Sequence, residues 1–231
     1  MHGIPRKALA FLTMSAEMSG GRLSEHVAEW MCELAQDRPV FHSEADFQLA
    51  LALVMTRHGA RRVRLERRIR LPKPLHNKHQ LAVDVLATVD NRRIGLELKY
   101  PRKTYTGTVL SDGEPEEYFL SGGAADIEAA YYWHDAERIE LLLAESIIDA
   151  GASIMLSNVP YWLSTMLTTT VGHAFALCED RSVGPTTLAW SGKPYSDPVE
   201  LTSQYLCRWR PFSTPSGTEF RYMILEGTAR P

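Results

Sequence analysis

The sequence predicts an α/β (α+β) fold: helices lead into a group of strands, and a β-rich C-terminal extension follows. Three observations predict it. The apolar period changes from helical to alternating near Val63, a long helical stretch returns after Ala125, and short strand-like pieces separated by Pro and Gly fill the C-terminal part.

The elements follow in order. Residues 1–21 end in Ser19-Gly20-Gly21 and read as a flexible leader. Leu23, Val27, Trp30, Met31 and Leu34 then fall on one stripe at helical spacing, and Arg38-Pro39 should end that helix. Ser43 is placed to cap a second helix, with Asp46 three residues on; Phe47, Leu51 and Val54 make its buried stripe and Gly59 closes it. Val63, Leu65, Ile69 and Leu71 alternate with mainly basic residues in a first strand ending at Pro72. Strands about Leu81 to Val89 and Ile94 to Tyr100, joined at Asp90-Asn91, give a hairpin. Residues 104–124 are polar and Gly-containing and read as a loop. A helix is expected from Ala125 to about Asp149, ended by Gly151, followed by a buried strand from Ala152 to Asn158. Strand-like pieces near Ala174 to Cys178, Thr187 to Trp190, Tyr205 to Trp209 and Phe220 to Leu225 complete the chain. The expected organisation is a core over 22–160 with an extension over 161–231 packed on it.

Composition narrows the class. The 231 residues are 45% hydrophobic and 23% charged, a globular profile. No apolar run approaches the roughly 20 residues that span a bilayer, so no membrane role is expected. Ala8 to Met14 after Arg6-Lys7 is only a faint echo of a signal peptide, with no clean cleavage site. Cys32, Cys178 and Cys207 are odd in number and never in a C-x-x-C arrangement, which argues against a disulfide framework or structural zinc and for a reducing cytoplasm.

The net charge of −3 hides an asymmetry. Between Arg57 and His79 the chain carries Arg61, Arg62, Arg64, Arg67, Arg68, Arg70, Lys73 and Lys78 against Glu66 alone. Such a stripe fits a phosphate-facing surface or a solvated strand equally well.

The chemistry-bearing pattern is Asp84 followed by Glu97-Leu98-Lys99. Alternation sets Glu97 and Lys99 on one face, and the hairpin can bring Asp84 beside Glu97. Converging carboxylates repel unless a cation lies between them, and oxygen ligands suit Mg²⁺ or Mn²⁺. An E-x-K spacing alone also describes an exposed cross-strand ion pair.

The surrounding order adds to this. Ser43-Glu44-Ala45-Asp46-Phe47-Gln48, Leu81-Ala82-Val83-Asp84-Val85 and Ile94-Gly95-Leu96-Glu97-Leu98-Lys99-Tyr100-Pro101 together resemble the PD-(D/E)XK nuclease superfamily over about residues 40–160, and are similar to uncharacterised bacterial members of it. Val83 stands where the family name has Pro. The resemblance implies a restriction-endonuclease-like core with a central mixed sheet flanked by helices. It also implies a Mg²⁺- or Mn²⁺-dependent phosphodiesterase acting on nucleic acid, with DNA the expected substrate. It assigns metal binding to Asp84, Glu97 and Glu44, and water activation to Lys99.

Glu44 shares a helix face with Phe47, Gln48 and Leu51, and could instead simply complement the helix dipole. Gln48 is a supporting candidate toward the metal's water or the phosphate. Arg64, Arg68, Arg70, Arg102 and Lys103 are the expected phosphate contacts. Nucleases of this kind often act as dimers, which leaves a homodimer open.

Tyr131 to Glu140, including His134-Asp135, reads as structural, with Asp135, Arg138 or Glu140 fixing loops around the site. Ser157-Asn158 and Tyr161-Trp162 read as a strand cap and core filling rather than a base-stacking platform. The rival class is a binding module on the same fold with little or no catalysis.

Overall fold

The computed structural model describes residues 22–163 and 170–227; the expected leader over 1–21 lies outside them. It is an α+β fold with a six-stranded mixed sheet. Helices α1 (Leu23–Asp37) and α2 (Glu44–Arg57) precede strands β1 (Arg61–Leu75), β2 (Lys78–Val89) and β3 (Arg92–Lys99). The hairpin β4 (Tyr105–Ser111) and β5 (Glu114–Leu120) leads to α3 (Ala125–Ala144) and β6 (Ala150–Ser157). Short strands β7 (Ser182–Val183), β8 (Thr186–Leu188), β9 (Val199–Leu201) and β10 (Tyr205–Leu206) precede β11 (Trp209–Ser213) and β12 (Phe220–Glu226). The sheet order is β1-β2-β3-β6-β12-β11, with only β3 and β6 parallel.

α2 begins where its cap dictates: the Ser43 side chain accepts from the Asp46 N–H at 3.1 Å. Gly59, at φ +86°, closes the helix. On one face of the sheet, Leu23, Trp30, Phe47 and Leu51 of α1 and α2 pack on Val85, Leu96, Leu98 and Ile154. On the other face, Ile139 and Leu142 of α3 meet Leu81 and Val83, while Tyr132 and Trp133 join Met155, Met223 and Trp209.

This layering sets the phase of β3. Burying Leu96 and Leu98 is worth about 1.5–3 kcal/mol each, and a one-residue slip would lose both. Glu97 and Lys99 are thereby held on the α3 face, in register with Ser153 and Met155 of β6.

Several expectations are corrected. The presumed loop over 104–124 is the β4–β5 hairpin, turned at Asp112 and Gly113 with φ of 51° and 84°. That Asp-Gly pair is a strong hairpin signal; Tyr105, Tyr118 and Leu120 anchor the strands. The extension does more than pack on the core, because β11 and β12 complete the sheet. The piece near Ala174 is a 3₁₀ turn over His173–Phe175.

β1 runs through Pro72 to Leu75 and keeps no clean alternation. It is an edge strand on which Leu71 alone is buried and Leu65 is exposed. Glu66 has φ of 50°, which breaks the pleat, so the expected alternation of Val63, Leu65, Ile69 and Leu71 with the basic residues between them does not persist along the strand.

α3 ends at Ala144 rather than Asp149, and Gly151, expected to terminate it, lies inside β6. A Cβ at Gly151 would meet Ile148 Cδ1 at 2.7 Å, Ile139 Cγ2 at 2.8 Å and the Gly95 carbonyl oxygen at 3.1 Å. Gly151 is paired with Gly95, so the glycines mark where α3 presses on the sheet. Gly151→Ala should cost about 1–3 kcal/mol by overpacking, measured by urea unfolding. Wild-type stability in the variant would show that α3 can lift without penalty.

Candidate active site

β2 and β3 pair from Val85↔Leu96 to Val89↔Arg92 and then part. Asp84 stands at that parting. Val83 lies in the α3-side core but Val85 in the α1/α2-side core, so the side-chain alternation breaks at Asp84. Its Oδ2 accepts from the Leu98 N–H at 2.6 Å, replacing a ladder bond the separating strands have lost. Burial pushes the Asp84 carboxyl above its ordinary pKa, with the Leu98 N–H opposing.

Glu97 is 1% exposed, and neither of its oxygens accepts an aligned hydrogen bond from a described residue. Arg138 of α3 forms an ion pair with it, Nη2 to Oε1 at 3.0 Å. Arg138 also donates to Asp135 Oδ1 at 3.2 Å and to the Ala82 carbonyl. Ser153, beside Glu97 across the strand pair, has a buried hydroxyl without a partner among the described residues. Burial drives Glu97 well above the usual carboxylate range; Asp135 and Asp84 reinforce this, against Arg138.

Lys99 Nζ lies 3.4 Å from Asp135 Oδ2 and 3.6 Å from Glu44 Oε1. Burial pulls its pKa down, but Asp135, Glu44 and Asp84 more than offset this, and the net shift is upward. Lys99 therefore keeps its proton through the neutral range. Glu44 reaches the site from the start of α2, where its Oε2 accepts from the Tyr100 N–H at 2.9 Å. The four residues expected from sequence thus meet around one centre, joined by Asp135 and Arg138.

The phosphate-contact candidates lie elsewhere. Arg64, Arg68 and Arg70 line a separate groove of about 710 Å³ with Arg62, Arg67 and Arg93, rather than leading into the carboxylates. Arg102 donates to the His42 carbonyl at 2.7 Å and lies over the Tyr100 ring, so it is largely engaged at the exit of β3. Lys103 has an exposed side chain, while its backbone N–H is capped by Asn158.

Gln48 lies beside the centre. Its amide donates to Glu66 Oε1 at 3.0 Å and to the Asp84 carbonyl at 2.8 Å, which ties α2 to β1 and β2 and commits its donors. Ser157 and Asn158 cap the strand as expected, through the Pro101 carbonyl and Lys103.

Asp135 and Arg138 were underestimated by sequence reasoning. They are part of the charged centre itself, and spacing i, i+3 on a helix following an E-x-K strand is the signal that could have found them. Lys99, Asp135 and Arg138 of the centre line a cleft of about 530 Å³ that also reaches His76, His134 and Glu137.

Burial raises the Asp135 carboxyl to about 6, with Lys99 and Arg138 opposing. An unfolded Asp titrates near 3.9, so between these values the folded state holds the extra proton. The group's stabilising contribution is complete below the lower value and is lost as pH rises through the upper one. In EDTA, the stability of Asp135→Asn relative to wild type should therefore improve between pH 5 and pH 7. Urea melts at both pH values check this; a pH-independent difference would show that Asp135 is not perturbed in the fold.

Comparison with known proteins finds no matching family model, no matching curated protein and no matching solved structure. Among the described residues, no helix is long and apolar enough to cross a membrane.

Proposed function

We propose that the chain is a metal-dependent nuclease of the PD-(D/E)XK type, hydrolysing phosphodiester bonds in nucleic acid, with DNA the favoured substrate. The observation that carries this reading is a charge imbalance. Among the described residues, Lys99 and Arg138 are the cations set among Glu44, Asp84, Glu97 and Asp135, so with all six ionised this group carries an excess of two negative charges, which one divalent cation offsets. The raised carboxyl pKa values, and a buried Glu97 carboxylate whose oxygens accept no aligned hydrogen bond and meet only the Arg138 ion pair among the described residues, support a cation there.

Asp84, Glu97 and Glu44 are the residues that would hold Mg²⁺ or Mn²⁺, since all three offer hard oxygen donors. When bound, the ion supplies a Lewis acid for a phosphoryl oxygen and lowers the pKa of a coordinated water. Lys99, held protonated by its acidic neighbours, donates a hydrogen bond that orients the attacking water and offsets charge building on the phosphate. Arg138 holds Glu97 and Asp135 in place. The Arg-lined groove along β1 supports sequence-independent phosphate affinity.

The second reading, a binding module without catalysis, draws on the same Arg138–Glu97 pair, which partly neutralises the centre without metal. A plasmid and oligonucleotide cleavage panel with Mn²⁺, alongside calorimetry with Mn²⁺ and Mg²⁺, separates the two. Cleavage abolished by EDTA is the expected result. Absence of both cleavage and metal binding would leave only the module.

A further inference from the structure

A second cluster lies across the same cleft, and the nuclease reading makes no use of it. His76 forms the two-residue turn between β1 and β2 with Asn77, at φ of 45° and 64°. Its Nε2 lies 2.8 Å from Glu137 Oε2, and His134 Nδ1 lies 3.2 Å from the same oxygen. All three atoms fall within 4.8 Å of one another. Tetrahedral zinc with bonds of about 2.0–2.1 Å separates its ligand atoms by about 3.3 Å. Two of the three separations, 2.8 and 3.2 Å, are thus close to what such an ion requires, and the third, within 4.8 Å, leaves a small closing movement of the two rings.

The surroundings strengthen the case. The second Glu137 oxygen accepts from the Glu200 N–H at 2.9 Å, which fixes the carboxylate's orientation. The other ring nitrogen of His76 faces Asp197 Oδ2 at 3.6 Å. A carboxylate behind a histidine whose far nitrogen points at a shared centre is the usual outer support of a metal-bound imidazole. The remaining side opens on the cleft, where water or a further ligand can complete the coordination.

We propose that His76, His134 and Glu137 bind a divalent transition ion, Zn²⁺ fitting best, at a site distinct from the carboxylate centre around Glu97. Two imidazoles and one carboxylate favour zinc over magnesium, whereas the all-oxygen donor set of Asp84, Glu97 and Glu44 has the opposite preference. The ion would clamp the β1–β2 turn to α3 and, through Asp197 and Glu200, to β9 and the segment entering it. Its role is to fix the outer wall of the cleft.

Calorimetric titration of the metal-free full chain with Zn²⁺ tests this, with Co²⁺ absorption reporting the geometry. The expected result is one tightly bound Zn²⁺ per chain in the presence of excess Mg²⁺, which occupies the carboxylate centre, with Co²⁺ giving the visible bands of a four- or five-coordinate ion. His76→Ala, on a surface turn, and His134→Ala should each weaken binding by about 100-fold or more, and Asp197→Asn by about 10-fold. Saturating Zn²⁺ should raise the wild-type Tm by about 5 °C and leave that of His76→Ala unmoved. Glu97→Gln should bind Zn²⁺ as wild type does, and since no readout involves cleavage, failure here and failure of the nuclease reading are separable. No Zn²⁺ binding, wild-type affinity in His76→Ala, or loss of binding in Glu97→Gln would each overturn the site; the first would leave a hydrogen-bonded His-Glu-His triad.

Discussion

Lys99→Met, Asp84→Asn and Glu97→Gln should each lower Mn²⁺-dependent cleavage by about 10³-fold while leaving a folded protein. The substitutions follow from the geometry. Asn at 84 keeps an acceptor for the Leu98 N–H, so the parting of β2 and β3 stays stitched. Ala there would fray the strands and confuse loss of structure with loss of chemistry. Gln at 97 preserves volume in a buried position, and Met at 99 keeps the apolar stem while removing the charge set between Asp135 and Glu44. Single-turnover cleavage of a plasmid, with circular dichroism and thermal melts as fold controls, is the measurement. Three variants that all cut at the wild-type rate would remove the nuclease assignment.

The second large effect concerns stability. Arg138→Met leaves Glu97 without its ion-pair partner and takes one of the two cations facing Asp135. Removing one partner from a buried pair costs about 3–5 kcal/mol, and the lost bond to the Ala82 carbonyl adds to it. Glu97→Gln should be neutral or stabilising in EDTA at pH 8, because the site disfavours the charged carboxylate. Combining the two should recover part of the Arg138→Met loss, a coupling a double-mutant cycle reads directly. Urea unfolding at pH 8 supplies all four corners. If Arg138→Met stays within about 1 kcal/mol of wild type, the cluster is solvated rather than buried.

The difference between what sequence reasoning reached and what it missed is one of range. The α2 cap, the β2–β3 hairpin and the shared face of Glu97 and Lys99 depend on neighbours a few residues apart, so local periodicity was enough. The β4–β5 hairpin was equally local, and Asp112-Gly113 announced it; its polar strands, lacking an apolar alternation, hid it. Asp135, Arg138 and the pairing of His76 with His134 were a different matter. Helical spacing puts Asp135 with Arg138 and His134 with Glu137, but not which face meets β3 and which meets the β1–β2 turn. That choice is made by Ile139 settling over Gly151 and by Ile148 over the Gly95–Gly151 pair. Glycine in mid-strand then reads as a helix terminator until the helix is seen lying on it.

The outermost position of β1 has a bearing on self-association. An unpaired strand margin invites another chain to zip onto it, and rows of like charge are a standard deterrent. Two molecules meeting along this margin would set guanidinium against guanidinium, with Glu66 the lone acid on each side. Any symmetric pair of these molecules should therefore join through some other surface and leave both arginine-lined rims open to polyanions.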